Sequence, residues 1–329
     1  MIFVDNENHY DPAVNLAIEE YLLRNLQTED DILLFYINEH SIIIGRHQNT
    51  LEEINHKYVE EKGIHVVRRL SGGGAVYHDL GNLNFSFIAQ KSDENVHNFR
   101  KFTEPVIRAL NRLGVPAELG GRNDILVDGR KISGNAQYIA GKRMVSHGTL
   151  LFNADLSHVS EALNVKMSKI ESKGIKSVRS RVANISEFLP QPMSVEEFRA
   201  YLLRSIFEDS PEIPSYQLTP ADWEGINKLT AERYRQWEWN FGASPDFNVQ
   251  KTQRFASGEI DAHINVQQGR IQGIKFYGDY FGEGDPAVLE QQLTGRRFNR
   301  ADLEEALREV NVGFYFGGVS REELLELLY

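Results

Sequence analysis

The 329-residue chain contains no cysteine. Disulfides, thiolate metal sites and thiol nucleophiles are therefore excluded, and whole classes of mechanism go with them. No apolar run approaches the ~20 residues that a membrane-spanning helix needs. The opening stretch from Met1 to Pro12 does not place an apolar segment after a basic one, so no signal peptide is expected. Positive charge is in deficit: 36 Lys and Arg stand against 47 Asp and Glu, for a formal charge of −11. A chain this acidic is not expected to coat nucleic acid, which calls for a basic footprint. Internal repeats and low-complexity tracts are missing as well. What remains is the profile of a soluble, cytoplasmic globular protein, with 41% hydrophobic and 25% charged residues and a length that favours two domains.

The local pattern is mainly strands with a few helices. Asp11 and Pro12 suit the N-cap and first position of a helix whose apolar residues include Ala13, Leu16, Ala17 and Leu23. Glu20 sits at the margin of that stripe. Ile32–Ile37 and Ser41–Gly45 read as a hairpin, Leu51–Lys62 as a short helix, and His65–Leu70 as a strand. Ala75–His78 and Leu83–Ala89 flank a turn. Phe99–Leu113 is amphipathic and is closed by Gly114. Asp128-Gly129 is a strong two-residue hairpin turn. Ser194 and Glu197 form a capping box ahead of a helix to Phe207. The aromatic cluster Trp237–Phe241 is read as core packing. Phe255–Tyr329 reads as a second, small α+β unit, with strands near Glu259–Val266 and Arg270–Tyr277. The domains are placed at residues 1–247 and 248–329, with a hinge in Phe247–Phe255.

Three clusters carry the chemistry. In Arg68-Arg69-Leu70-Ser71-Gly72-Gly73-Gly74-Ala75, consecutive glycines let a ligand approach the main chain, and successive N–H groups can converge on phosphate oxygens. The two arginines offer planar donors. Taken alone, three glycines also fit a flexible hairpin connection. No Gly-Lys-Ser/Thr follows, so this is not a nucleotide P-loop, and no long helix opens after it, so it is not a dinucleotide fingerprint. In the second cluster the Asp128-Gly129 turn pairs Leu126 with Lys131 and Asp124 with Ser133, so Asp124, Lys131 and Ser133 are expected on one face. A lysine and a carboxylate held together suit a phosphate and its magnesium, although an exposed surface hairpin would look the same. The third cluster, Ser146-His147-Gly148-Thr149, puts His147 and Thr149 on a shared face. Gly134 is expected to break the pleat between the clusters.

Together these runs, with Gly121-Arg122-Asn123-Asp124, Lys131-Ile132-Ser133-Gly134-Asn135-Ala136 and His147 through Leu156, resemble the lipoate–protein ligase family along essentially the whole chain. The resemblance implies an α+β fold: a mixed, mainly antiparallel sheet with flanking helices, as in biotin and lipoate ligases, plus a small α+β C-terminal accessory domain. It implies activation of lipoate by ATP to lipoyl-AMP, then transfer to a lysine of a lipoyl domain. It assigns Lys131 as the catalytic cation. Arg69, Gly74, Ala75, Val76, Tyr77, Lys131, Ser177 and Arg181 are assigned to ATP. Leu16, Arg69, Ser71, Gly73, His78, Lys131, Ser133, Gly134 and His147 are assigned to lipoate, with Phe35 and Ile44 as further wall residues. Asp124 is the expected Mg2+ contact. Expected partners are lipoyl domains of 2-oxoacid dehydrogenase complexes or a glycine-cleavage H-type protein, approached by a monomer. An acyl transferase and a non-catalytic binder of lipoyl domains are the rivals. The relatives that transfer acyl groups use a cysteine, which this chain lacks.

Overall fold

The structure is a computed structural model, and it describes residues 1–163, 182–241 and 249–329. Their contacts group them into two compact units. One comprises Met1–Ile43, Ile54–Val67 and Val76–Asn240; the other comprises Ile44–Glu53, Arg68–Ala75 and Phe241–Tyr329. Two short inserts from the N-terminal part of the chain, one of them the glycine loop, therefore count with the C-terminal residues.

The first unit is built on strands β1 (Ile2–Asp5), β2 (Ile32–Ile37), β3 (Ser41–Ile44), β4 (His65–Arg68), β5 (Val76–His78), β6 (Asn82–Gln90), β7 (Ala117–Gly120), β8 (Asp124–Val127), β9 (Arg130–Ala140), β10 (Arg143–Leu151) and β11 (Ser215–Tyr216). Eight of them form one sheet in the order β11-β1-β2-β6-β10-β9-β8-β7. β1 runs parallel to β2 and β11, and the other neighbours are antiparallel. Such a sheet is mixed and mainly antiparallel, as expected. β3 lies between β4 and β5 in a separate three-stranded sheet.

Both faces of the large sheet are covered, which is why β2 is buried at every position. On one face Leu33, Phe35, Phe85, Phe87, Ile125 and Val127 meet Phe102 and Val106 of helix Phe99–Arg112 and Phe198 and Leu202 of helix Val195–Ile206. Each such side chain contributes ~1.5–3 kcal/mol when fully withdrawn from water. The second helix begins at the anticipated capping box, in which Ser194 Oγ accepts from Glu197 N and Glu197 Oε2 accepts from Ser194 N. Helix Pro12–Arg24 serves the other face through Glu19, and it starts with Asp11 Oδ1 accepting from Ala13 N at 2.8 Å.

The second unit holds the sheet β12 (Val249–Phe255), β13 (Gly258–Gln267) and β14 (Arg270–Gly278), all antiparallel, with the β13–β14 turn at Gln268 and Gly269 on positive φ. Ile260, Ile264, Ile274, Phe276 and Tyr280 pack on Leu289, Leu303, Phe316 and Leu324 from four short helices. β12 occupies most of the segment read from sequence as a hinge. The predicted helix Leu51–Lys62 is two pieces, Thr50–Glu53 and His56–Lys62, because Asn55 caps the second one. Trp237 is 54% exposed, so the aromatic cluster is not wholly core.

Candidate functional site

The Lys131 hairpin turns at Asp128 and Gly129, with φ of 50° and 73°. Positive φ at both central residues is the turn type that matches strand twist, and it sets the pairs Val127–Arg130 and Leu126–Lys131. The next pair departs from expectation. A bulge shifts the register between Ile125 and Leu126, so Ser133 faces Ile125 and Asp124 faces Gly134. The extra residue, Ile132, sends Ser133 to the core side, where its fully buried Oγ accepts from Asn135 Nδ2 at 3.2 Å. Ser133 therefore leaves the face it was expected to share. Lys131 and Asp124 keep theirs: Nζ lies 2.8 Å from Oδ1, with both side chains over a third exposed.

Gly134 makes room for that ammonium. A Cβ there would lie 2.9 Å from Lys131 Nζ. Gly134→Ala is expected to displace the lysine tip while leaving the fold intact, because a flexible chain end can move. Turnover should fall ~10–100-fold, since small misplacements of a reacting group carry large penalties. A melting temperature more than a few degrees lower, with unchanged turnover, would contradict this.

Gly134 does not end the strand. β9 runs unbroken to Ala140, and Gly134 N donates to Thr149 Oγ1 at 3.3 Å. Register then carries the face across: His147 pairs with Ala136 on one side and Ser86 on the other. Lys131, Asp124, Thr149, His147 and Ser86 thus share one face of the sheet. Glu19, 3% exposed, closes the set from the first helix. Both its oxygens lie 2.9 Å from His147 Nδ1, and Ser86 Oγ donates to Oε2. A carboxylate on Nδ1 orients the ring and places the proton on that nitrogen.

His78, 3% exposed, has Nδ1 3.0 Å from Asn38 Nδ2. Leu16 is buried one helical turn before Glu19. Phe35 packs in the core on the face away from Lys131. Glu20 is not marginal: it is 1% exposed and holds Arg24 Nε at 2.7 Å, Tyr234 Oη at 2.8 Å and the Arg233 guanidinium. The chain beyond residue 181 returns alongside Lys131, where Ala183 N donates to Lys131 O at 3.0 Å. Ser177 and Arg181 lie outside the described residues.

Val76 and Tyr77 pair with Ile43 and Ile42 in β5, and the Tyr77 hydroxyl lies 2.6 Å from His40 Nδ1. In the second unit the glycine loop is braced from inside. Arg69 Nε donates to Ser71 Oγ at 3.0 Å, and Nη2 donates to the carbonyls of Gly72 at 2.7 Å and Gly74 at 2.9 Å. Arg68 donates to the carbonyls of Gly45, Arg46 and Gln48 and to Thr50 Oγ1. Read from sequence as ligand donors, both arginines spend hydrogen bonds on loop geometry. The glycines also answer to packing. A Cβ at Gly72 would meet Tyr280 O at 2.6 Å, and Gly73 has φ of +93° with Arg69 Nη2 at 3.0 Å. A Cβ at Gly74 would meet nothing within 4 Å, so the main chain there has the openness that ligand approach needs. Ala75 is half-buried beside it, and Ile44 is fully buried.

Buried His47 stacks on Tyr280 with centroids 4.8 Å apart. Burial first, then Arg46 and Arg68 against the opposing Asp285, lowers its pKa from 6.5 to about 3. Below pH 6.5 the unfolded chain binds a proton that the folded ring refuses. Stability should therefore be complete above that pH and fall by about 2 kcal/mol between pH 7 and pH 5. Urea unfolding of the wild type and His47→Gln checks this: the variant should show a flatter pH profile.

A model of the lipoyl protein ligase A/B catalytic domain matches residues 11–207, and one of the bacterial lipoate protein ligase C-terminus matches residues 244–328. The chain belongs to the lipoate–protein ligase family. Ligases of known name align along their full length: lipoate-protein ligase LplJ of Bacillus subtilis at 57% identity and lipoate–protein ligase 1 of Staphylococcus aureus at 51%, each with 100% of both chains covered. Among solved structures, P. falciparum LipL1 in complex with lipoate superposes with a TM-score of 0.76 at 25% identity, covering 99% of this chain and 97% of that one. A bipartite ligase of Thermoplasma acidophilum, described with its E2 lipoyl domain, gives 0.65 at 32%, covering 75% and 98%. A lipoate-protein ligase A bound with ATP gives 0.62 at 31%, covering 74% and 97%.

For this ligase, sequence reasoning missed Glu19, Asn15, Asn38 and Ser86. The signal available was Asn15 and Glu19-Glu20 set among the apolar residues of the first helix; pairing across distant strands left none. No group of three or more His, Asp or Glu suited to a metal occurs among the described residues. Asp124 offers a single carboxylate. That fits Mg2+, which is commonly held by one or two carboxylates with substrate phosphates completing the shell. Among the same residues no helix is long and apolar enough to cross a membrane.

Proposed function

We propose that the protein joins lipoate to ATP and then to a protein lysine, with Lys131 as the central cation. The observation that carries this reading is the Lys131–Asp124 pair on the bulged hairpin, kept clear by Gly134. A lipoate carboxylate oxygen attacks the α-phosphorus of ATP, and pyrophosphate leaves. Lys131 neutralises the charge that builds on the carboxylate and α-phosphate oxygens. The amine of an acceptor lysine then attacks the acyl carbon; the amide bond forms, AMP leaves and the amine proton is released.

The open amides around Gly74 and Ala75, continuing into Val76 and Tyr77, hold phosphate, and Arg69 and Ser71 keep that stretch of main chain in shape. Leu16, His78 and His147 line the acyl side, as does main chain at Gly73 and Gly134. Ser133 is left out, because its side chain faces the core. Ser177 and Arg181 complete the adenylate side. Asp124 would hold Mg2+, which supplies charge neutralisation at the phosphates when bound. Residues 248–329 act as an accessory domain. The enzyme works as a cytoplasmic monomer on lipoyl domains of 2-oxoacid dehydrogenase complexes or on an H-type protein.

The test is incubation of the protein with lipoate, ATP and a purified lipoyl domain. Mass spectrometry should find the acceptor heavier by one lipoyl group, with AMP and pyrophosphate formed in equal amounts. An unmodified acceptor without pyrophosphate would favour a binder of lipoyl domains instead. A gain of acyl group without ATP would favour a transferase.

A further inference from the structure

We propose that Asn123 and Asn135 are positioning residues that together lock the β-bulge which puts Gly134, and not Ser133, beside the Lys131 ammonium. The two asparagines flank the Asp124–Gly134 pair, Asn123 just before β8 and Asn135 within β9. Each side-chain amide serves the main chain of the other residue. Asn123 Nδ2 donates to Asn135 O at 2.6 Å, and Asn135 Nδ2 donates to Asn123 O at 2.9 Å. Asn135 N adds a third bond to Asn123 O at 3.0 Å. Carbonyl oxygens only accept, so both amides are fixed in direction. Asn135 Nδ2 also reaches Ser133 Oγ at 3.2 Å, and so holds the residue that the bulge turns to the core. Asn135 is 4% exposed, and its partner on β10 makes space for it: a Cβ at Gly148 would lie 2.1 Å from Asn135 Oδ1.

The clamp decides between two registers. Asn135 and Ser133 face the core, and strict alternation would carry Lys131 there too. The extra residue, Ile132, returns Lys131 to the face of Asp124. A hairpin without the bulge would set Asp124 against Ser133 and Asn123 against Gly134, and a residue with a side chain would then lie next to the ammonium. In that register Asn123 would face a glycine, which has no amide to return its bond. With Gly134 in place, a Cβ would stand 3.1 Å from Lys131 Cε and 2.9 Å from Nζ, so even one carbon crowds the lysine tip. The catalytic weight of this arrangement rests on the proposed function; the register does not.

The test compares the full-length wild type with Asn123→Ala, Asn135→Ala and the double variant Asn123→Ala with Ser133→Gly. Asn123 is half-buried, so its alanine variant should fold even where that of Asn135 does not. With 13C-labelled lysine and glycine, the wild type should show an NMR contact between the Lys131 Hε and Gly134 Hα protons, and the alanine variants should lose it. In the pyrophosphate-release assay each alanine variant should lower kcat about tenfold, with KM for lipoate and for ATP within about threefold, because a misplaced cation acts on the reaction more than on capture. Adding Ser133→Gly to Asn123→Ala should raise kcat again by at least about threefold, since a glycine then lies next to the ammonium in either register. Absence of the Lys131–Gly134 contact in the wild type overturns the register. An Asn123→Ala protein that keeps the contact, or that melts lower with unchanged kcat, overturns the clamp. A double variant no faster than Asn123→Ala overturns the role given to Gly134. Wild-type protein that releases no pyrophosphate with lipoate and ATP refutes the functional reading instead, and leaves the register standing.

Discussion

Lys131→Ala is expected to abolish adenylate formation and leave a folded protein. The side chain is 39% exposed and pairs with Asp124, in an ion pair that water screens. Removing it should change stability by no more than ~1 kcal/mol. The chemistry is affected far more. Charge develops on carboxylate and phosphate oxygens together, and a single oriented donor at such a position contributes ~100–1,000-fold to rate. Pyrophosphate release with lipoate and ATP should fall at least ~100-fold, while the melting temperature stays within a few degrees. Lys131→Arg should recover little, because a planar guanidinium cannot take the place of a compact ammonium beside Gly134. Adenylate formation by the alanine variant at a near wild-type rate would sink the assignment.

Arg68→Ala should act in the opposite way, on stability first. The guanidinium is 7% exposed and serves three main-chain carbonyls and one hydroxyl. Burial lowers its pKa to about 10, with Arg46 opposing its charge as well, and it is still protonated at neutral pH. Alanine takes the donor from the carbonyls of Arg46 and Gln48 and from Thr50 Oγ1, while Gly45 O keeps Gln48 N at 3.1 Å. Each such acceptor costs ~1–3 kcal/mol, so a loss of about 3–5 kcal/mol is expected by urea unfolding. Arg68→Lys should recover less than half, since one ammonium cannot span four acceptors in fixed directions. A loss below ~1 kcal/mol with impaired nucleotide affinity would return Arg68 to the role of a ligand donor.

Much of the site was legible because it is local. The Asp128-Gly129 turn forces Leu126 opposite Lys131 through backbone conformation alone, and Asp124 follows two residues on. The Ser194 capping box was equally visible, since both partners lie within one turn. Ser133 was misplaced because a single bulged residue reverses facing, and nothing in its side chain announces a bulge. Arg69 and Arg68 illustrate another limit: a guanidinium that binds phosphate and one that ties down a loop have the same formula.

The amino-acid sequence by itself determined the chemical inventory of this protein: no thiol, an acidic surface, a glycine loop, and a lysine beside a carboxylate, because hairpin geometry and composition act over a few residues. Only the tertiary structure decided which side chains meet His147 and His78. Glu19 reaches His147 across 128 positions and Asn38 reaches His78 across 40. Such partners are chosen by which strands become neighbours and which faces they present, and both are properties of the packed sheet.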